Sequence, residues 1–247
     1  MKSELRYEFR RIRTLRSTWI IALLAIGQAL GFVSLVAWVG GMNEYGTIEP
    51  TQFESLIGFI LIPFFVVLVS VLAAQAFGHD YRHGTIRVTM STFPRRGPFL
   101  AARVLLVLMV SVFLGLIAIA GTSLVTELLK ATTGGIVWNS VLIAGSKFLA
   151  IMVMYCLIVM ALTVLFRSMP IGLVVPMITF TFLEYIILAV TSRVEWISDV
   201  LPSVNAIAWA TDSTSGWGRT DASPLPMLIV AVALSVAASW KFLKRDV

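Results

Sequence analysis

The chain carries only two histidines, His79 and His83. Four residues apart, they can share a helix face at the spacing of a two-histidine metal site. Asp80 is the one further ligand nearby, and Arg82, Arg87, Arg95, Arg96 and Arg103 surround the group with charge that repels a cation. No metal is therefore expected there. A Ser-His-Asp arrangement would have to be built in the same basic stretch and is discounted. Lys147 and Glu184 are the ionisable residues set furthest inside apolar runs, each roughly 10 Å from the outer end of its run at 1.5 Å rise per residue. Equal depth on consecutive antiparallel helices allows three readings: an ion pair that lowers the cost of burying either charge, snorkelling to the outer surface, or a place on a substrate path. Cys156, the lone cysteine, lies in an apolar run where a thiol packs and stays unreactive, and it permits no intrachain disulfide. The sequence holds no G-x-x-x-x-G-K-[ST] phosphate loop, no H-E-x-x-H and no nucleophile elbow, so neither ATP binding by that loop nor those hydrolytic chemistries are expected of this chain.

The elements that carry these residues are membrane helices. Of 247 residues, 58% are hydrophobic and 13% charged, against the 45–50% and about 25% of an ordinary soluble domain. The fold class expected is an all-α polytopic membrane protein forming a single transmembrane domain. Six spans are read at roughly 18–39, 54–76, 99–123, 141–166, 171–191 and 224–240. Ahead of them, residues 2–17 read as a basic amphipathic helix in the headgroup plane, with Leu5, Phe9, Ile12 and Leu15 on one face and Arg6, Arg10 and Arg13 among the rest. Within the basic stretch, Asp80 reads as the cap of a short helix, Gly84 as a point that loosens it, and Pro94 and Pro98 as stops before the third span. Residues 192–223, where Trp196, Ile197, Val200, Leu201, Ile207 and Trp209 mix with Asp199, Asn205 and Asp212, suit short helices half-sunk at the outer interface.

Charge fixes the orientation. With six spans and both termini inside, the inner segments hold 15 of the 19 bases and four of the 13 acids. Such a lysine and arginine bias is what sets topology, so a multi-pass cell-membrane protein with both termini cytoplasmic is expected. The net charge of +6 then reflects topology and anionic lipid, not nucleic acid. The basic stretch 77–98 between the second and third spans reads as the surface through which a soluble cytoplasmic partner drives the membrane subunit.

The run Asp80-Tyr81-Arg82-His83-Gly84-Thr85-Ile86-Arg87, followed by Pro94-Arg95-Arg96 and Ala101-Ala102-Arg103, resembles the inner-loop signature of type-2 ABC transporter permeases. The likeness extends to the whole layout, from the basic N-terminal helix to the tail Phe242-Leu243-Lys244-Arg245-Asp246, although Asp80 stands where many members carry glutamate. The resemblance implies an export subunit of a prokaryotic cell membrane, working as a homodimer or with a related permease chain. A separate cytoplasmic ABC ATPase would bind the ATP and magnesium, this chain carrying no cofactor and no catalytic residue. It assigns the ATPase-coupling contact to Asp80, Tyr81, Arg82, His83, Gly84, Thr85 and Arg87, and contact with inner headgroups to Arg6, Arg10, Arg13, Arg95 and Arg96. It also makes residues 2–17 a connecting helix, 192–223 an extracellular gate, and the first, second and fifth spans the walls of the path. A hydrophobic or amphipathic cargo such as an antibiotic or antimicrobial peptide is expected. Lipid-linked or polysaccharide export, a non-transporting sensor and a lipid-modifying enzyme are the alternatives.

Overall fold

The computed structural model of the chain describes residues 2–42, 64–92, 96–128, 138–190, 195–211 and 222–244. All regular structure among them is helical. Helix α1 covers Lys2–Thr14 and α2 Arg16–Met42, with Leu15 alone between them. Then come α3 (Val66–His83), α4 (Ile86–Thr92), α5 (Arg96–Leu128) and α6 (Trp138–Phe166). Helix α7 (Met169–Ile178), a π turn (Thr179–Leu183) and α8 (Glu184–Val190) follow without a break, and α9 (Glu195–Val200), α10 (Pro202–Thr211) and α11 (Leu225–Lys244) complete the order.

Four described helices are long and apolar enough to cross a membrane: α2, α5, α6 and α11. At 1.5 Å per residue the 33 residues of α5 reach about 50 Å. That exceeds the roughly 30 Å hydrocarbon layer. Residues 43–63, which include the first half of the second predicted span, lie outside the described residues. The fifth predicted span is helical from 169 to 190 but contains Pro176 and the π turn.

Helix α6 is the central post. Of its apolar window 72% is buried, and it packs against α3, α5, α7 and α11. Phe65 and Phe148 meet in its core with ring centroids 5.7 Å apart. Two glycines let α7 come close to its neighbours. A Cβ on Gly78 of α3 would collide with Met169, and one on Gly172 of α7 would lie 2.9 Å from the Thr163 Cα on α6. The turn between α6 and α7 is made by Arg167 in the left-handed region (φ 53°) and extended Ser168. Lys241 of α11 donates to the carbonyl of Leu165 at 3.3 Å, closing the end of α6. Favourable placement of a cation at a helix C-terminus explains that choice.

Several local expectations are corrected. On α1, Glu8 is buried and Leu5 and Ile12 are half-buried against the bundle, while Phe9 is 56% exposed. Asp80 caps no short helix: α3 continues through it to His83, and Gly84 (φ 65°) ends α3 in the left-handed conformation that glycine adopts at no steric cost. Pro98 stops nothing, because α5 starts at Arg96 and proline is tolerated in a first turn, where its missing N–H is not needed.

Candidate functional site

Four ionised side chains from three helices meet at one end of the bundle. Arg103, two turns into α5, is 1% exposed. Its Nε donates to Glu8 Oε1 at 2.8 Å and its Nη1 to Asp80 Oδ2 at 2.6 Å, and Nη2 makes a second contact with Glu8 Oε1. Glu8 (2% exposed) comes from α1 and Asp80 (5%) from the last turn of α3. Arg11, one turn beyond Glu8, reaches Asp80 Oδ1 at 3.1 Å, Glu8 Oε2 at 3.5 Å and the carbonyl of Ala76 at 3.2 Å. Two carboxylates against two guanidiniums make the group neutral, which offsets part of the cost of taking four charges out of water. The Arg103 guanidinium also lies over two rings, 4.5 Å from the Phe99 centroid and 5.0 Å from that of Phe77. Such placement over aromatic faces is favourable for a desolvated cation.

The Gly-Thr pair belongs to the same group. With α3 ended at Gly84, the chain turns so that Thr85 Oγ1 donates back to Asp80 Oδ1 at 3.2 Å. Asp80 thus ties the exposed turn to α5 and α1. Arg82, His83, Gly84 and Thr85 are exposed on the outside of this turn, Tyr81 is half-buried against the core, and the side chain of Arg87 lies outside the described residues. Phe77 meets Phe242 of α11 edge-on at 6.2 Å, which brings the C-terminal end of α11 to the same end of the bundle.

Among the residues expected at headgroups, Arg6, Arg10 and Arg13 are exposed on α1, Arg96 is half-buried at the start of α5, and Arg95 lies outside the described residues. Trp19, also exposed, donates its indole N–H to the carbonyl of Arg13 at 3.0 Å. His79 and His83 do share a face of α3, with ring centroids 4.5 Å apart. Partial desolvation first, then the neighbouring His83 and Arg11, push the imidazole of the largely exposed His79 below its ordinary value. No group of three or more potential metal ligands occurs among the described residues.

At the other end of the bundle, Glu184 is 2% exposed. Its Oε2 accepts from the backbone N–H of Ser203 at 2.7 Å and of Val204 at 3.2 Å, the orphan donors in the first turn of α10. Ser203 Oγ lies 2.7 Å from the same oxygen and 2.9 Å from the carbonyl of Phe180 in the π turn. Lys147 lies with its Nζ 5.8 Å from the Trp209 ring centroid on α10. Lys147 and Glu184 are thus each placed against α10, Glu184 at its start and Lys147 towards its end.

Sequence reasoning missed Glu8 and Arg103 as partners, although a signal existed: an acid interrupts the apolar face of α1, and an arginine stands five residues inside the apolar run that starts at Phe99. The N-terminus of α10 also had its mark in Pro202, a residue suited to the first helical position. Comparison with protein-family models and with curated proteins returns no match to this chain.

Proposed function

We propose that this chain is the membrane-spanning permease subunit of an ATP-driven exporter of the type-2 ABC kind, paired with a second permease subunit and moved by a separate cytoplasmic ATPase. The observation that carries the reading is the neutral ion group directly behind the exposed turn 82–85. A push on that turn reaches Asp80 through the end of α3 and the Thr85 hydroxyl, and passes to α5 through Arg103 and to α1 through Glu8 and Arg11. Short charge-assisted hydrogen bonds in a low dielectric are stiff and directional. A surface built this way moves three helices together, which is what alternating access by rocking bundles requires. Six spans with both termini inside, Arg6, Arg10 and Arg13 at the inner headgroups, and a hydrophobic or amphipathic cargo complete the proposal.

The division between exposed and buried residues shapes the test. Asp80 variants would disturb the ion group itself, whereas Arg82 and His83 are exposed. The chain is co-expressed with a candidate cytoplasmic ATPase, and ATP hydrolysis by the purified complex is compared for wild type and the Arg82→Ala/His83→Ala double variant. Co-purification of the ATPase with wild type, together with an assembled variant whose hydrolysis is no longer raised by the permease, is expected. An ATPase that does not bind, or a variant indistinguishable from wild type, overturns the reading.

A further inference from the structure

A cavity of about 90 Å³ lies between α5, α6 and α11, beside Phe77 of α3. Leu100 and Val104 line it on α5, Met160 on α6, and Ser235 and Ala238 on α11. Leu100, Val104 and Ser235 are half-buried, so the cavity reaches the surface between α5 and α11. Val104 also belongs to an apolar groove on the exposed side of α5 that runs from Ala101 to Leu116, about 22 Å at 1.5 Å per residue. The cavity therefore opens onto a lipid-facing helix.

Water is a poor occupant. At roughly 10–15 Å³ per molecule the space would take several waters, and each needs two to four polar partners. The lining side chains supply only two hydroxyls, Ser235 and Ser239, and Ser239 Oγ already donates to the carbonyl of Ser235 at 2.7 Å. Elsewhere on the long helices Ser34, Ser123 and Thr163 spend their hydroxyl hydrogens on the carbonyl four residues back. Ser235 Oγ, by contrast, is buried with no hydrogen-bond partner. A free donor in an apolar wall suits an apolar guest that brings one acceptor. Depth and charge narrow the guest. The Phe77 ring lies under the Arg103 guanidinium at 5.0 Å, so the cavity is level with the ion group. Lys241, about 9 Å along α11 from Ser235, and Lys244 stand in the last turn of that helix, and Arg96 stands one turn before Leu100. Glu8 and Asp80 are committed to Arg103 and Arg11, which leaves this end net positive.

We propose that this cavity binds one anionic phospholipid from the leaflet at the ion-group end. An ester carbonyl of the lipid accepts from the Ser235 hydroxyl, one acyl chain fills the cavity and lies along the α5 groove, and the phosphate is held at the bases of α5 and α11. Basic rims between membrane helices are suited to such headgroups. The site is independent of any ATPase and of the cargo.

The test is native mass spectrometry of the full chain in detergent, titrated with dioleoyl phosphatidylglycerol and separately with dioleoyl phosphatidylcholine. A first phosphatidylglycerol bound distinctly tighter than the second, and tighter than the first phosphatidylcholine, is expected. Ser235→Ala should weaken that first lipid about two- to tenfold, as loss of one hydrogen bond does. Ala238→Leu, which fills the cavity, should remove it. Should Ala238→Leu fail to fold, Ser235→Ala decides alone, since it removes a single oxygen that no protein group uses. A graded series with no distinct first lipid, or a Ser235→Ala variant that binds it as wild type does, overturns the proposal. Equal first-site affinity for the two lipids overturns the anionic phospholipid in favour of an uncharged apolar guest.

Discussion

Arg103 is held by two carboxylates and two aromatic faces at once, and no other residue type meets all four demands. Its planar fork serves Glu8 and Asp80 from separate nitrogens while the flat guanidinium lies over Phe99 and Phe77. Arg103→Met leaves two buried carboxylates facing Arg11 alone, and removing one member of a buried ionic group costs about 3–5 kcal/mol. The variant is expected to unfold at a markedly lower temperature in detergent, with Arg103→Lys in between because a single ammonium cannot reproduce the fork. A melting temperature for Arg103→Met equal to that of wild type would refute the ion group as a structural lock. His79, beyond the second predicted span, adds a pH dependence of defined sign. Because its folded-state value is lowered, the unfolded chain binds the extra proton first, so stability is lost as pH falls through the ordinary imidazole range near 6.5. His79→Gln should flatten that part of the stability–pH profile, and a profile unchanged by the substitution would remove His79 as its source.

At the scale of elements, α7 depends on close backbone approach more than on side-chain attraction. Gly172 faces the Thr163 Cα so closely that a methyl group has no room, and Gly78 does the same for Met169 at the start of α7. Gly172→Val forces α6 and α7 apart; overpacking of this kind costs about 1–3 kcal/mol. Reduced yield of folded protein and a lower melting temperature are expected, whereas Gly27→Ala, which has open space around it, should be tolerated. Equal effects of the two substitutions would show that the close approach is not a constraint. Apolar run length made α2, α5, α6 and α11 legible in the sequence, since a helix that must satisfy its own backbone in lipid needs about twenty such residues. The π turn and the end of α3 were not legible. Asp80 has the composition of a cap, but its contacts with Arg103, 23 positions away, and with Arg11 hold it at the end of α3. Likewise Phe9 fits the apolar face of α1 by periodicity, but the acid Glu8 takes the inward place because Arg103 is waiting for it. Long-range charge pairing overrides local pattern at both points.

Across the whole molecule, the basic ends meet at one end. Glu8, Asp80 and Arg103 join α1, α3 and α5 there, Phe77 and Phe242 add α11, and Lys241 closes the end of α6. Sidedness is therefore open to a direct test with thiol chemistry. Cys156 is buried and is the lone cysteine, so Cys156→Ala gives a silent background. Into it are placed, one at a time, Thr14→Cys on α1, Ser91→Cys on α4 and Glu127→Cys at the far end of α5, all exposed positions. Lysine and arginine resist translocation, so the end carrying α1 and α4 should stay inside the cell. A membrane-impermeant maleimide added to intact cells should label Glu127→Cys at once, and Thr14→Cys and Ser91→Cys only after permeabilisation. Labelling of Ser91→Cys in intact cells would invert the molecule, place the ion group and its exposed turn outside, and remove the cytoplasmic ATPase from reach of the surface proposed to bind it.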